Sequence, residues 1–377
     1  MEINTKFDDI RPYYEEEIPA AMKRIAACEL FPLLSLFVYP NEPIEDIRKM
    51  VASFKTTREF QHETMKKVNE QVIKRSITHF SCTGIERLDP NKSYLYVSNH
   101  RDIMLDSSLL QYFFVVNGFE TTEITFGANL MINPIVVDIG KSNKMFKVER
   151  QGSSIKDFYK SSLHLSEYIR YVIKEKKESV WIAQRNGRTK NGIDTTDQGS
   201  IKMFCLSEPK DKIKALADLH IVPISVSYEW EPCDLLKTLE LYESQYTRYI
   251  KKPGEDLNSI ITGILQPKGR VHIEICEPIS VAELVALEYM TNNEYHKSVA
   301  KLLDSRINTA YRLYPNNYVA HDLLYGNTKY ASMYSKEDYD KFIQHMSKLD
   351  RYDACDIDRL KEFFIGIYSN PIDNKQR

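Results

Sequence analysis

A histidine followed closely by two aspartates is the most chemically informative feature of this sequence. Residues 97–106 read Val-Ser-Asn-His-Arg-Asp-Ile-Met-Leu-Asp, and His100 lies between a β-like run (93–98) and an apolar helical pattern. An imidazole at a strand-to-helix corner can act as a general base when a carboxylate orients it, and Asp102 and Asp106 are both candidates. The alternative is a solvated turn in which one aspartate caps the following helix. These ten residues alone favour neither interpretation.

Two later segments carry residues that could bind an anion. The segment 140–150 ends a β-like run with Arg150, whose guanidinium could hold a phosphate in bidentate fashion or form an ordinary surface salt bridge. The segment 185–192 reads Arg-Asn-Gly-Arg-Thr-Lys-Asn-Gly, in which glycine allows close backbone approach and Arg188 and Lys190 supply positive charge. The alternative for this second segment is a solvated turn.

Two familiar catalytic classes do not fit these residues. His-Arg-Asp at 100–102 resembles a protein-kinase catalytic loop, but Ser107 occupies the place of the required Asn, and no Gly-rich nucleotide loop or Asp-Phe-Gly is present. A metal hydrolase would need further clustered histidines or carboxylates around His100, so we expect no metal. The six cysteines are scattered singly, which indicates reduced thiols rather than a zinc site or disulfides.

Composition limits the remaining classes. The chain has 377 residues, enough for two or three structural units, and a net charge of −2, which predicts no nucleic-acid partner. The longest apolar stretch (30–39) is interrupted by Pro32 and Ser35 and is shorter than the roughly 20 residues that span a bilayer. Residues 1–9 are polar and acidic, unlike a signal peptide, so we expect a cytoplasmic protein.

The pattern of elements predicts an α/β fold with a mixed, largely parallel sheet flanked by helices, and with helical N- and C-terminal extensions. We divide the chain into an N-terminal helical region (1–80), an α/β domain (81–280) and a C-terminal helical region (281–377). The clearest amphipathic helix is Ser154 to Glu175. The predicted strands are Tyr94 to Ser98, Glu123 to Phe126, Met145 to Glu149, Ser179 to Ala183, Ile221 to Tyr228 and Arg270 to Cys276.

Taken together and in order, these motifs resemble those of the glycerophospholipid acyltransferase superfamily, the lysophosphatidic acid and glycerol-3-phosphate acyltransferases. The resemblance covers about residues 80 to 280. The four blocks of that family are similar here to Asn99-His100 with Asp106, Phe146 with Arg150, Asn186-Gly187-Arg188-Thr189, and Ile221-Val222-Pro223-Ile224. Gly127-Ala-Asn129-Leu130 and Gly187-Arg188-Thr189-Lys190-Asn191-Gly192 also resemble motifs of the glycerol-3-phosphate branch.

The resemblance implies acyl transfer from a thioester, either acyl-CoA or an acyl-carrier protein, to the hydroxyl of 1-acylglycerol-3-phosphate or glycerol-3-phosphate. His100 would be the base, oriented by Asp106 or by its rival Asp102, and no cofactor or metal would be required. The residues implied to bind substrate are Asn99, Arg101, Arg150, Asn186, Gly187, Arg188, Lys190 and Pro223.

Two departures from the family pattern keep alternatives open. Five residues rather than four separate His100 from Asp106, and the acidic residue expected in the third block falls at Arg185 or Asn186. The second departure leaves room for a non-phosphate lipid acceptor, such as an acylated amino acid, or for a non-catalytic lipid-binding protein of the same fold.

The substrates also raise the question of membrane contact. Apolar residues cluster near the N-terminus at Phe31, Leu33, Leu34, Leu36, Phe37 and Tyr39. Either they make peripheral contact with the inner face of a membrane or they belong to the core and the acyl channel.

Overall fold

The strands of the described residues form one mixed sheet in the order β1-β7-β6-β2-β5-β3-β4. The structure is a computed structural model that describes residues 5–131, 133–149 and 154–375. Strands β6 and β7 pair antiparallel and every other recorded pair is parallel. The strands are β1 (Ile77–Thr83), β2 (Leu95–Ser98), β3 (Glu123–Gly127), β4 (Met145–Val148), β5 (Val180–Ala183), β6 (Ile221–Tyr228) and β7 (Gly269–Ile275).

Helices cover both faces of this sheet and both ends of the chain. The N-terminal group is α1 (Ile18–Ala27), α2 (Phe31–Val38), α3 (Ile44–Ser53), α4 (Thr57–Phe60) and α5 (Lys66–Ser76). The helices between the strands are α6 (Leu105–Val116), α7 (Pro134–Ser142), α8 (Ile155–Tyr171), α9 (Gln198–Cys205), α10 (Lys212–Ala217), α11 (Asp234–Ser244) and α12 (Glu255–Leu265). The last group is α13 (Val281–Val285), α14 (Asn292–Ala310), α15 (Pro315–Tyr325), α16 (Lys336–Met346) and α17 (Ile357–Asn374).

Alternation along β2 divides the core between the two faces of the sheet. Leu95 and Val97 pack into a cluster with α8, α9 and α14, whereas Tyr96 packs into a second cluster with α5 and α6. Side chains in a strand point to opposite faces in turn, so a strand covered on both sides is apolar throughout. Strand β2 is therefore fully buried, and the residues that follow it are held at the centre of the sheet edge.

The terminal helices add two smaller cores. Helices α1 to α3 form one around Ile18 and Met22, and α15 to α17 form the other with α11 around Phe342 and Phe364. Helix α14 instead shares the core of the sheet through Val299 and Leu303. The predicted fold class, a mixed and largely parallel α/β sheet with helical ends, is confirmed. The three-part division of the chain stays a prediction.

The predicted strands agree with the structure within one or two residues, but β1 was not predicted. It follows α5 directly, with no turn residue between Ser76 and Ile77, and half of it is exposed. The charged helical pattern of α5 therefore conceals the change to a strand. The predicted amphipathic helix is α8 and continues as a π-helical turn to Lys176.

Two glycines of the loop after β5 share a left-handed backbone but differ in their surroundings. Replacing each by alanine therefore distinguishes the cost of backbone strain from the cost of a steric clash. Gly187 and Gly192 both have φ of +77°, yet a Cβ at Gly192 would lie 2.1 Å from the carbonyl oxygen of Ile367, whereas one at Gly187 meets nothing within 4 Å. We expect both alanine variants to lose about 1–2 kcal/mol from the left-handed backbone. Gly192→Ala should lose about 1–3 kcal/mol more because it separates the loop from α17.

Urea denaturation followed by circular dichroism measures both variants. Equal midpoints for Gly187→Ala and Gly192→Ala would contradict the close packing of this loop on α17.

Candidate active site

His100 lies at the carboxyl end of β2, between the ends of two neighbouring strands. Strand β2 pairs in parallel with β5 on one side and with β6 on the other, so the segments after all three meet at one edge. The Thr189 amide donates a hydrogen bond to the His100 carbonyl oxygen at 2.7 Å, which ties the loop after β5 to this corner. Ligand sites of open α/β sheets are typically found at such an edge.

Asp106, in the first turn of α6, is the carboxylate that contacts the histidine. Its Oδ2 lies 3.0 Å from His100 Nδ1 and also accepts hydrogen bonds from the backbone amides of Arg101 and Asp102, at 2.7 and 2.9 Å. Its Oδ1 accepts the Tyr228 hydroxyl at 2.8 Å. With Asp106 as acceptor, Nδ1 carries the ring proton and Nε2 is the basic nitrogen of the neutral imidazole.

Tyr228 was not recognised from the sequence as part of the site. Burial and the nearby Asp106 carboxylate raise the pKa of its hydroxyl well above the ordinary value, so the hydroxyl stays protonated and donates. The available signal in the sequence was its position. Tyr228 is the last residue of β6, which pairs with β2, the strand that leads into His100.

Asp102, the rival orienting residue, caps helix α6 instead. Its Oδ1 accepts from the amides of Met104 and Leu105, both at 2.8 Å, and its Oδ2 is buried without a hydrogen-bond partner among the described residues. Burial, followed by repulsion from Asp106, raises the pKa of Asp102 above its ordinary value. Asp102 therefore contacts the backbone at the start of α6, and Asp106 contacts the imidazole.

Two cations, Arg188 and Lys268, interact with the charge of the buried Asp102. Arg188 lowers the pKa of Asp102 through its charge, although burial outweighs it, and Arg188 Nη1 is itself buried without a partner among the described residues. Burial lowers the pKa of the nearby Lys268 to about 8. Backbone of α12 closes over the carboxylate, because a Cβ at Gly263 would lie 2.2 Å from Asp102 Oδ2. An unpartnered buried guanidinium nitrogen whose charge acts on Asp102 is a feature that a bound anion would satisfy.

Arg101 requires a correction, because its guanidinium is engaged inside the protein. It is 0% exposed and donates to Asp194 Oδ2 at 2.5 Å and to Glu231 Oε2 at 3.1 Å. It also lies 4.9 Å from the centre of the Tyr311 ring. These contacts use its charge to join three segments, so the structure assigns Arg101 a supporting role rather than substrate binding.

Asn99 and Pro223 also differ from their predicted roles. The Asn99 amide exchanges two hydrogen bonds with the backbone of Val226, at 2.8 and 3.0 Å, and so fastens β2 to β6 instead of facing a substrate. Pro223 is buried within β6, opposite Val97, which is the residue before the end of β2. Both residues shape the sheet beneath the corner.

The loop after β5 divides the remaining predicted residues. Lys190 pairs with Glu240, and burial lowers its pKa to about 8. Asn186 is exposed, and Gly187 adopts the left-handed backbone. Arg150 lies outside the described residues. Within the described part of the loop, Arg188 is therefore the predicted cation whose charge acts on Asp102 and whose Nη1 has no hydrogen-bond partner.

Trp181 on β5 is a second residue that the sequence did not single out. Its ring meets the His100 imidazole edge-on, with 6.2 Å between ring centroids, and its Nε1 is buried without a partner among the described residues. It therefore forms an apolar wall with one unused donor beside the candidate base.

Two further properties bear on the expectations from sequence. Among the described residues, no three histidine, cysteine or acidic side chains are grouped so that they could hold a metal ion. Every helix in the described part of the chain is too short or too polar to cross a membrane.

Comparison with known proteins identifies the α/β part of the chain. Residues 79–227, which include His100, Asp106, Arg188 and most of β1 and β6, match the family model named Acyltransferase. This match confirms the predicted resemblance of these residues to the acyltransferases. A search of curated proteins finds no match.

The solved structures that match include one that is similar at a low level. It is the 1-acyl-sn-glycerophosphate acyltransferase PlsC from Thermotoga maritima, with 14% sequence identity and a TM-score of 0.38 over 76% of this chain and 92% of that chain. At this level of similarity it supports no inference about residues or substrate.

The buried ion network of Arg101 leads to a prediction about stability. Arg101→Ala leaves Asp194 buried without its cation, and we expect a loss of about 3–5 kcal/mol in the free energy of unfolding. Arg248→Ala, which removes an exposed arginine, should change stability by about 0.5 kcal/mol or less. Denaturant unfolding measures both, and a stable Arg101→Ala protein with weakened substrate affinity would restore the binding role predicted from sequence.

Proposed function

We propose that this chain is an O-acyltransferase that moves a fatty acyl group from an acyl thioester to the hydroxyl of a glycerol-phosphate-type lipid. The acceptor would be 1-acylglycerol-3-phosphate or glycerol-3-phosphate, and the donor acyl-CoA or an acyl-carrier protein. The observation that carries the proposal is the 3.0 Å contact between His100 Nδ1 and Asp106 Oδ2, inside the segment that matches the acyltransferase model.

The geometry supports a single displacement with His100 as general base. Asp106 would hold the ring so that Nε2 takes the proton of the acceptor hydroxyl while its oxygen attacks the thioester carbonyl carbon. The carbon–sulfur bond then breaks, and the imidazolium returns the proton to the departing thiolate. The products are an ester and a free thiol, and His100 is neutral again. Asp106 stabilises the imidazolium that forms in between.

Arg188 is the residue we propose for the acceptor's phosphate. Its Nη1 is buried and unpartnered within the described structure, and a charged donor in that state gains most from an anion. The alternative acceptor, a lipid without phosphate, is favoured by a different observation: Arg101 and Lys190 are already paired with Asp194 and Glu240. Competition between 1-acylglycerol-3-phosphate and an acylated amino acid for one acyl-CoA, read by mass spectrometry, distinguishes the two acceptors.

The central prediction compares the two aspartates as matched variants. We expect His100→Ala and Asp106→Asn to lower kcat/KM by about 10²- to 10⁴-fold, because the base is removed or is no longer oriented. Asp102→Asn should lower it by about tenfold or less, since Asp102 contacts the helix rather than the imidazole. The measurement is product formation from acyl-CoA and 1-acylglycerol-3-phosphate, with circular dichroism to show that each variant folds.

Three results would overturn parts of this account. Wild-type protein that acylates neither acceptor would contradict the proposed activity and favour a non-catalytic lipid-binding protein. Full activity in His100→Ala would contradict the proposed base. An equal loss in Asp102→Asn and Asp106→Asn would contradict the assignment of Asp106.

We also propose that α2 contacts the membrane that holds the lipid acceptor. The apolar cluster of this region is divided in the structure: Phe31 and Tyr39 are buried, whereas Leu33 and Leu36 are 69% and 57% exposed. Leu34 on the same short helix and Leu30 immediately before it are also exposed. Exposed leucines on one helix are typical of a surface that enters the boundary between lipid headgroups and acyl chains.

Flotation with liposomes tests this contact. We expect the double variant Leu33→Ser/Leu36→Ser to bind liposomes more than tenfold more weakly, because burying two leucines contributes about 2 kcal/mol or more. Val281→Ser/Val285→Ser, which removes two valines exposed by 56% and 47% on α13, is the matched control. Equal flotation of the two double variants would refute the role of α2.

A further inference from the structure

A cavity of about 750 Å³ lies among helices that the acyltransferase family match does not include. It is formed by the start of α11, by α12 and the segment after it, by α16, and by the 3-10 turn Ser347–Arg351. Its volume is in the range of about 300–1,000 Å³ that is typical of sites for small ligands and cofactors. The size alone does not identify an occupant, but the lining does.

One part of the lining is apolar and aromatic. Leu235, Leu236 and Pro267 contribute aliphatic surface, and Trp230 contributes a half-buried indole. The Trp230 ring is held in place by His345 and Phe342, with ring centroids 4.6 and 6.2 Å away. This wall suits the apolar or flat part of a ligand.

The other part of the lining is positively charged. Lys341, Lys348 and Arg351 all border the cavity. Lys348 Nζ lies 3.1 Å from His345 Nδ1, which holds the ammonium at the cavity wall, and Lys341 pairs with Glu337 at 2.6 Å. Arg351 contacts Tyr352 through a hydrogen bond from Nη2 to the hydroxyl, at 2.6 Å.

Asp234 is the acidic residue among the described lining residues, and its charge is already satisfied. Its Oδ2 lies 2.7 Å from His345 Nε2 and 2.6 Å from the Tyr368 hydroxyl, and its Oδ1 accepts from Gln266 at 3.1 Å. An incoming anion would therefore meet Lys348 and Arg351, with Lys341 held by Glu337, while the buried acid stays paired.

The inner wall of the cavity backs onto the His100 corner. Cys233 lines the cavity, and its thiol pKa is raised by burial and by the charge of Asp102, and lowered by Arg188. Thr262 also lines it, next to Gly263, whose backbone lies against Asp102 Oδ2. One layer of residues therefore separates the cavity from the candidate active site.

We propose that this cavity binds a phosphate-bearing ligand with an apolar body. The phosphate would contact Lys348 and Arg351, and the apolar part would lie against Trp230 and Leu236. The choice of ligand class rests on the proposed function, because both coenzyme A thioesters and lysophospholipids are of this class. The site itself is built from side chains outside the His100 corner and outside residues 79–227.

Isothermal titration of the full-length chain tests the proposal with three probes: coenzyme A, a short-chain 1-acylglycerol-3-phosphate below its micelle concentration, and inorganic phosphate. We expect one of the first two to bind more tightly than phosphate. We expect Lys348→Gln/Arg351→Gln to weaken it by about tenfold or more, because two charge-assisted contacts are lost. Lys336→Gln, at the start of α16 with a side chain 87% exposed, is the matched control and should bind as wild type does.

Tryptophan fluorescence gives a second readout, because the chain has two tryptophans and one lines the cavity. Ligand binding in the cavity should change the emission of Trp230, and this part of the change should be absent from Trp230→Phe. A change that persists in Trp230→Phe comes from Trp181 beside His100. Binding of coenzyme A identifies the donor as the source of the ligand, and binding of the lysophospholipid identifies the acceptor.

Two results would overturn the proposal: neither organic probe binds more tightly than inorganic phosphate, or the double variant binds as wild type does. The outcome is separable from that of the proposed function. Acyl transfer that depends on His100, with binding unaffected by Lys348 and Arg351, leaves the activity and removes the cavity site. Binding that depends on these two residues, without acyl transfer to either acceptor, does the reverse.

Discussion

The Asp106 carboxylate is the point on which the candidate site depends. It accepts hydrogen bonds from His100, from the backbone amides of Arg101 and Asp102, and from the Tyr228 hydroxyl. These donors come from the end of β2, the turn after it and the end of β6. A buried carboxylate is tolerated only when such donors replace the water it has lost. The same contacts that stabilise Asp106 therefore fix the orientation of the imidazole.

The rest of the fold keeps those donors in place. Asn99 fastens β2 to β6, and the buried Arg101 joins the turn to Asp194 in the loop after β5 and to Glu231 after β6. Buried charges arranged in this way add little net stability but are costly to break. A rigid second layer of this kind is what a precisely oriented base requires. The residues next to His100 in sequence thus support the site rather than contact substrate.

The sequence predicted six of the seven strands, the strand-to-helix corner at His100 and Asp106 as a neighbour of the imidazole, since these depend on local patterns: apolar runs and an acid in the first turn of a helix. It did not predict the partners of Arg101 and Lys190, because these partners are distant in sequence. Asp194 and Glu231 lie 93 and 130 residues after Arg101, and Glu240 lies 50 residues after Lys190. A buried ion pair and a free anion-binding cation look alike in sequence. The same limit applies to the cavity, whose lining residues come from α11, α12 and α16.

The central claim is that Asp106, and not Asp102, orients His100 with its proton on Nδ1. Nitrogen NMR of histidine-labelled protein, with His100→Gln used to assign the signal, reports the tautomer directly. The account predicts the Nδ1-protonated form in the wild-type protein and in Asp102→Asn, and its loss in Asp106→Asn. A wild-type signal from the Nε2-protonated form, or an Asp106→Asn signal identical to that of wild type, would contradict it.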